Sequence, residues 1–165
     1  MPMTIRDAKE TDLPAIVAIY NASIPGHNAT ADTRPITIES RYSWFREHQP
    51  STRPLWIALE NDAMLGWLSF QSFYGRPAYH ATVELSIYVD PERQRQGIGN
   101  TLLAKAIEQA PQLGIKTLLG FIFAHNAPSL RLFEKLGFRR WGVLPEVAEL
   151  DGEERGLIIV GRRLS

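Results

Sequence analysis

Two spacings of apolar residues alternate along the chain, and they predict its elements. Leu13, Ile16, Val17 and Tyr20 recur at helical intervals, with Thr11 or Asp12 placed to cap and Pro14 in the opening turn, so a first helix runs to the neighbourhood of "SIPG". "HNATADTRPIT" has no period and carries turn formers. "IESRYSWFREHQ" returns to helical spacing through Ile38, Tyr42 and Phe45, which leaves a polar loop between two helices. The rhythm then shortens. "LWIALENDAMLGWLSFQSF" alternates as a hairpin turning at Asn61 and Asp62, and "ATVELSIYV" reads as a strand rich in β-branched and aromatic residues. Ile98, Leu102, Leu103, Ala106, Ile107 and Ala110 share one side of a following helix, which Pro111 and Gly114 stop. "TLLGFIFA" is almost wholly apolar, as a strand covered on both faces should be. "NAPSLRLFEKLGF" is a short helix with Pro128 in its first turn and Gly137 past its end, and strands from Arg139 to Glu149 and from Gly156 to Leu164 close the chain. The strand, helix, strand, helix run in the second half points to at least one parallel pair in a mixed α/β sheet.

No internal repeat or linker interrupts this pattern, and 165 residues suit one domain over 1–165. A chain of that length buries about two-thirds of its unfolded surface. Lysine plus arginine and aspartate plus glutamate both number 18, with no block of one sign, so neither a nucleic acid nor a membrane surface is the expected partner. Cysteine is absent, which removes disulfides, thiolate metal sites and a cysteine nucleophile, and fits a cytoplasmic setting. The N-terminal residues turn polar early, and no window approaches the ~20 apolar residues of a membrane span. His27, His48, His80 and His125 form no i, i+4 pair, so no metal is expected. Trp44, Trp56, Trp67 and Trp141 lie in apolar segments and read as core or dimer-contact residues.

The stretch "DPERQRQGIGN" carries the chemistry. A glycine-bearing loop that opens into a helix exposes backbone N–H groups and makes an anion site. A P-loop needs lysine and then serine or threonine after its last glycine, whereas Gly99 is followed by Asn100, Thr101 and Leu102. A dinucleotide fingerprint needs a third small residue where Leu102 stands. What remains is Gln94-x-x-Gly97-x-Gly99, with Arg93 and Arg95 beside the positive end of a helix dipole, an arrangement that suits a diphosphate. The plain alternative is an ordinary strand-to-helix turn.

"VELSIYVDPERQRQGIGNTLL", followed one helix and one strand later by "HNAPSLRLFEKLGF", resembles the acetyl-coenzyme A signature of the GNAT superfamily of N-acetyltransferases. "IRDAKETDLPAIVAIYN" is similar to the superfamily's opening strand and helix, and "GFRRWG" to its strand after the last helix. "AIYN", "SRYSWF" and "TVELSIYV" together look most like the phosphinothricin and methionine-sulfoximine acetyltransferase group. The resemblance implies an α/β GNAT fold, a mixed central sheet splayed at the acetyl-CoA site and flanked by helices. It also implies a homodimer and acetyl-CoA as co-substrate.

Site residues follow from the same resemblance. The coenzyme pyrophosphate would rest on Gln94, Arg95, Gln96, Gly97, Ile98, Gly99 and Asn100, and its pantetheine arm on the main chain of Ile87, Tyr88 and Val89, with the Val89 N–H facing the thioester carbonyl. Asn126 would reach the pantetheine, with Ser129 one helical turn on; the plain role for Asn126 is a helix N-cap. Phe133 stands where many members carry a tyrosine that protonates the leaving thiolate, so the general acid is left unassigned and Phe133 is expected along the pantetheine or in the core. Glu84, a carboxylate in an otherwise apolar strand, is the candidate base, the alternative being a solvated or arginine-paired residue.

On the acceptor side the resemblance points to Phe73, Tyr74, Arg76, Glu84, Leu85 and Ser86. Tyr74 falls where the group has an arginine, and Arg76 sits two places later, still able to clamp a carboxylate. Ala31 replaces a bulky aromatic of the group, with Asp32 and Arg34 close by. The implied reaction is acetyl transfer to the amino group of a small amino-acid-like substrate by direct attack. A protein lysine or N-terminal amine as acceptor, and a non-catalytic coenzyme sensor, are the alternatives.

Overall fold

In a computed structural model that describes residues 2–164, seven strands form one sheet in the order β1-β2-β3-β4-β5-β7-β6. The strands are β1 Thr4–Asp7, β2 Leu55–Glu60, β3 Ala63–Ser72, β4 Thr82–Val89, β5 Thr117–Phe123, β6 Arg139–Leu150 and β7 Glu153–Arg163. The helices are α1 Leu13–Ala22, α2 Tyr42–Arg46, α3 Ile98–Gln109 and α4 Ala127–Lys135. Every neighbouring pair is antiparallel except β4 and β5, the parallel pair to which the strand-helix-strand run points.

Side-chain alternation sends each strand's residues to one of two cores. Trp56, Leu68, Phe70, Val83 and Leu85 pack with Ile98, Leu102, Leu103 and Ala106 of α3 and with Leu130 and Phe133 of α4. Leu55, Ile57 and Trp67 turn the other way, onto Leu13, Ile16, Ile19 and Tyr20 of α1, where Tyr42, Trp44 and Phe45 of α2 join them. Trp67 is further fixed by an indole N–H donated to Ile16 O at 3.1 Å. β4 is therefore covered on both faces by different helices.

Two local expectations change. Asp12 does stand at the N-cap of α1, but its carboxylate points back, accepting from the Lys9 N–H at 2.7 Å and pairing with Arg6 at 2.8 Å, so Pro14 near the start rather than a side-chain cap defines that end. The second helix, expected over 38–49, is a 3₁₀ turn over Glu39–Arg41 followed by α2 alone. Ile38, Tyr42 and Phe45 still share the predicted inward face.

Candidate active site

β4 meets β3 along its whole length but meets β5 only at Thr82, Val83 and Glu84. Hydrogen bonds from the Asp90 N–H to Leu65 O (2.8 Å) and from the Phe73 N–H to Thr82 O (3.3 Å) set the phase of the β3–β4 ladder. Glu84, Ser86 and Tyr88 therefore turn their peptide groups toward β3, while Leu85, Ile87 and Val89 turn theirs the opposite way. The Glu84–Leu119 pairing takes the Leu85 N–H, and beyond it no strand meets Ile87 and Val89, because β5 continues from Gly120 to Phe123 against β7 alone. The opening between the strands is edged with free main-chain donors and acceptors, the surface to which an extended ligand adds itself. The Gln94 side-chain amide donates to Val89 O at 3.3 Å. Ile87 and Val89 present their main chain as expected, whereas Tyr88 faces β3 and contributes by its side chain.

At the mouth of this opening α3 begins. Gly97 holds the left-handed conformation (φ 78°) at its N-cap, has no side chain to cap the helix, and a Cβ there would meet nothing within 4 Å. The N–H groups of Ile98, Gly99 and Asn100 in the first turn are left to an external acceptor. Gly99 lets the turn approach α4, since a Cβ would lie 3.2 Å from Leu132 Cδ2. Gln94, Arg95 and Gln96 are exposed, and Ile98 is buried and anchors the turn in the core. A diphosphate fits this donor set. Arg93 is less free than its position suggests, being paired with Glu60 at 3.4 Å.

Across the opening, the Asn126 carbonyl accepts from the Ser129 N–H at 3.3 Å, which makes it the N-cap of α4, and its amide donates to Asn28 O at 2.8 Å. Ser129 is half-buried on the same turn. His125 donates to His27 O at 2.8 Å, and the Tyr88 hydroxyl to Ala29 O at 3.2 Å. Three consecutive carbonyls of the loop after α1 are thus held from β4 and from the turn between β5 and α4. Phe133 lies in the core, its ring edge-on to Phe138.

On the α1 and α2 side of β4 lies a cavity of about 160 Å³. Tyr20, Trp44, Trp67 and Tyr88 wall it, with Trp67 and Tyr88 at 4.9 Å between ring centroids and Trp44 and Trp67 at 5.5 Å. Ser69, Gln71 and Ser86 supply polar groups from β3 and β4, and Arg41 is the only charged residue of the lining. Glu84 follows Ser86 on this face, directly opposite Gln71 in the strand register. Its carboxylate has no ion pair or hydrogen bond among the described residues, and burial raises its pKa above the ordinary carboxylate value. Burial, reinforced by neighbouring Tyr20, likewise pushes the Tyr88 phenol up, so Tyr88 holds its proton tightly.

The other acceptor-side residues separate. Ser86 lines the cavity, but the Leu85 side chain is on the opposite face and buried. Phe73, Tyr74 and Tyr79 cluster in the β3–β4 connection, where Tyr74 and Arg76 are exposed; none of Phe73, Tyr74 and Arg76 lines the cavity. Arg41 was not singled out from the sequence. The available signal was its place three residues before Trp44 in a helix whose apolar face turns inward.

Among known proteins, residues 14–138 match the model of the acetyltransferase (GNAT) family. The chain is 52% identical over 164 residues, 99% of its length and 100% of the relative's, to YwnH of Bacillus subtilis (strain 168), whose name assigns it provisionally to phosphinothricin acetylation. It is 33% identical over 145 residues, 88% of its length and 85% of the relative's, to an L-methionine sulfoximine/L-methionine sulfone acetyltransferase of Salmonella typhimurium. A crystal structure of a phosphinothricin acetyltransferase from Sinorhizobium meliloti in complex with acetyl-CoA superimposes with a TM-score of 0.93, covering 100% of this chain and 90% of that one at 29% identity.

Proposed function

The chain belongs to the GNAT family of acetyltransferases and is an acetyl-CoA-dependent N-acetyltransferase, and we propose that its acceptor is the amino group of a small amino acid of the phosphinothricin or methionine sulfoximine and sulfone type. The observation that carries this choice is the cavity. It is walled by two helices and two strands and holds about 160 Å³, room for an amino acid rather than an open groove for a protein segment. Relatives named for these acceptors support the same class. Residues 1–165 act as one catalytic domain.

In this reading the pantetheine arm lies along the free edge of Ile87 and Val89, and the pyrophosphate sits on the first-turn N–H groups after Gly97. An acceptor amine with a pKa of about 10 arrives protonated at neutral pH. Glu84, whose raised pKa brings it nearer the working range, takes that proton directly or through one water. The amine nitrogen then bonds to the acetyl carbonyl carbon while the Ile87 N–H, nearer Glu84 along β4 than the expected Val89, faces the developing oxyanion. The C–S bond breaks, the nitrogen gives its second proton to solvent to leave the neutral amide, and the leaving thiolate takes a proton from solvent, since Phe133 has none to give and Tyr88 yields its own poorly.

A homodimer fits the outer edge of the sheet. Strand β6 is terminal, and Trp141, Val143, Leu144 and Val147 expose 48%, 61%, 41% and 58% of their surfaces there. No helix among the described residues is long and apolar enough to cross a membrane, and the balanced charge and absence of cysteine support a cytoplasmic enzyme with small-molecule partners.

The deciding experiment follows free thiol release from acetyl-CoA with a panel containing phosphinothricin, methionine sulfoximine, methionine sulfone, ordinary L-amino acids and peptides with free N-termini. Release with the amino-acid analogues is expected. Release only with peptides would transfer the assignment to protein amines, and coenzyme binding without any acceptor-dependent release would leave a sensor.

A further inference from the structure

The guanidinium carbon of Arg41 lies over two aromatic rings, 5.1 Å from the centroid of Tyr20 and 5.3 Å from that of Trp44. Contacts of this kind engage the charge of the group and leave its N–H edge available. No side-chain hydrogen bond of Arg41 to any described residue uses that edge. Its nearest acid, Asp32, is 4.0 Å away and already accepts from the Tyr20 hydroxyl. The Arg41 side chain is 26% exposed, at a cavity in which it is the only charge. A guanidinium seated over two rings, with one loose ion pair and no hydrogen-bonded acceptor among the described residues, is a preorganised receptor for an oxyanion.

The position of this receptor in the cavity decides which part of a ligand it meets. Tyr20 lies tilted against Tyr88 with ring centroids 4.9 Å apart, and Trp44 lies against Trp67, the register partner of Tyr88, so Arg41 belongs to the Trp67–Tyr88 end. Gln71 lines the other end, with Glu84 opposite it in the strand register but outside the lining, four residues along β4 from Tyr88, about 13 Å at the usual rise of a strand. Ser69 and Ser86 lie between them.

Resting on the reading of Glu84 as the base, we propose that Arg41 binds the end of the acceptor remote from its reacting amine. The acceptor is then an amino acid whose side chain terminates in an oxyanion or a strongly polar oxo group, such as a phosphinate, a carboxylate or a sulfone. The aromatic walls accommodate the methylene stem, and Arg41 selects the tip. Arg76, exposed in the β3–β4 connection, does not make this selection.

The test compares wild type, Arg41→Gln, Arg41→Lys and Arg76→Gln on three acceptors that differ at the tip: phosphinothricin, methionine sulfone and methionine. Acetyl-CoA affinity and melting temperature serve as controls for folding. For Arg41→Gln, kcat/KM is expected to fall about 100-fold with phosphinothricin, the size of a lost charge-assisted hydrogen-bonded pair. The fall should be smaller with the uncharged sulfone and absent with methionine, and Arg41→Lys should recover part of the phosphinothricin rate alone. An equal fall on all three acceptors would overturn the proposal in favour of a purely structural or amine-end role. So would an unchanged Arg41→Gln, or the tip-dependent loss appearing in Arg76→Gln instead. If wild type acetylated none of the three while binding acetyl-CoA, the broader amino-acid reading would fall and this inference with it.

Discussion

A Cβ added to Gly120 would stand 2.9 Å from Cε2 of Phe133, so the ring on α4 fills the room that a glycine in β5 leaves open. The same added carbon would meet Val160 Cγ2 at 3.0 Å from the other side. The ring is a packing element where a tyrosine would offer a hydroxyl. Gly120→Ala is expected to lower stability by about 1–3 kcal/mol through overpacking. Phe133→Leu in that background should restore part of the loss, since the two sites share one space. Urea unfolding of the single and double variants measures the coupling, and strict additivity would refute it.

Glu84→Gln should reduce kcat by a factor of about 100 or more, in the range of general base catalysis, with acetyl-CoA affinity unchanged. The pH dependence has a definite sign. Because burial raises the folded-state pKa of Glu84, the acid limb of the wild-type kcat profile should lie above the ordinary carboxylate range and vanish in the glutamine variant. A carboxyl whose pKa is raised by folding contributes stability while protonated, and that contribution is lost as pH rises through the ordinary and then the raised value. At neutral pH the neutral glutamine is therefore expected to melt no lower than wild type. Full turnover at saturating acceptor would remove Glu84 from the mechanism.

Asn126 joins a helix cap to the loop after α1, and two substitutions separate these duties. Asn126→Ala should cost about 1 kcal/mol for the cap, whereas Asn126→Ser keeps a capping oxygen and loses only the amide. The serine variant should recover most of the melting temperature but retain a raised KM for acetyl-CoA. A serine variant with wild-type KM would show that the amide serves the loop and not the coenzyme.

Val143→Glu and Val147→Glu place charge on the outer edge of the sheet. Both positions are more than half exposed in the single chain, so the fold itself should tolerate them. Sedimentation velocity should show a dimer for wild type and a monomer for the double variant. Identical sedimentation of the two would exclude β6 as the contact.

The sequence announced those parts of this molecule whose meaning is local. The β-branched and aromatic residues of "TVELSIYV" placed a strand, and the inward side of α3 holds Ile98, Leu102, Leu103 and Ala106 as the helical spacing demands. Gly97 and Gly99 marked the anion turn because both the left-handed backbone and the close approach to Leu132 are glycine properties. The extent of α2 was not legible, because apolar spacing reports which face turns inward and says little about where the helical hydrogen bonds stop. Arg41 was hidden for another reason. Its role depends on a tyrosine twenty-one positions earlier arriving over the same guanidinium, a proximity made by packing α1 and α2 on one face of the sheet. Arg76 drew attention by its place in a recognisable segment, yet that segment is an exposed connection outside the cavity.

Strand β4 divides its labour between peptide groups and side chains. The peptide groups of Leu85, Ile87 and Val89 edge the opening toward β5, while the side chains of Glu84, Ser86 and Tyr88 face α1 and α2. Substitution alters side chains and leaves the main chain in place, so the two halves of the site can be varied independently. A library confined to Arg41, Ser69, Gln71 and Ser86 should explore new acceptors against an unchanged coenzyme seat, which makes this sheet a scaffold for redirecting acetyl transfer.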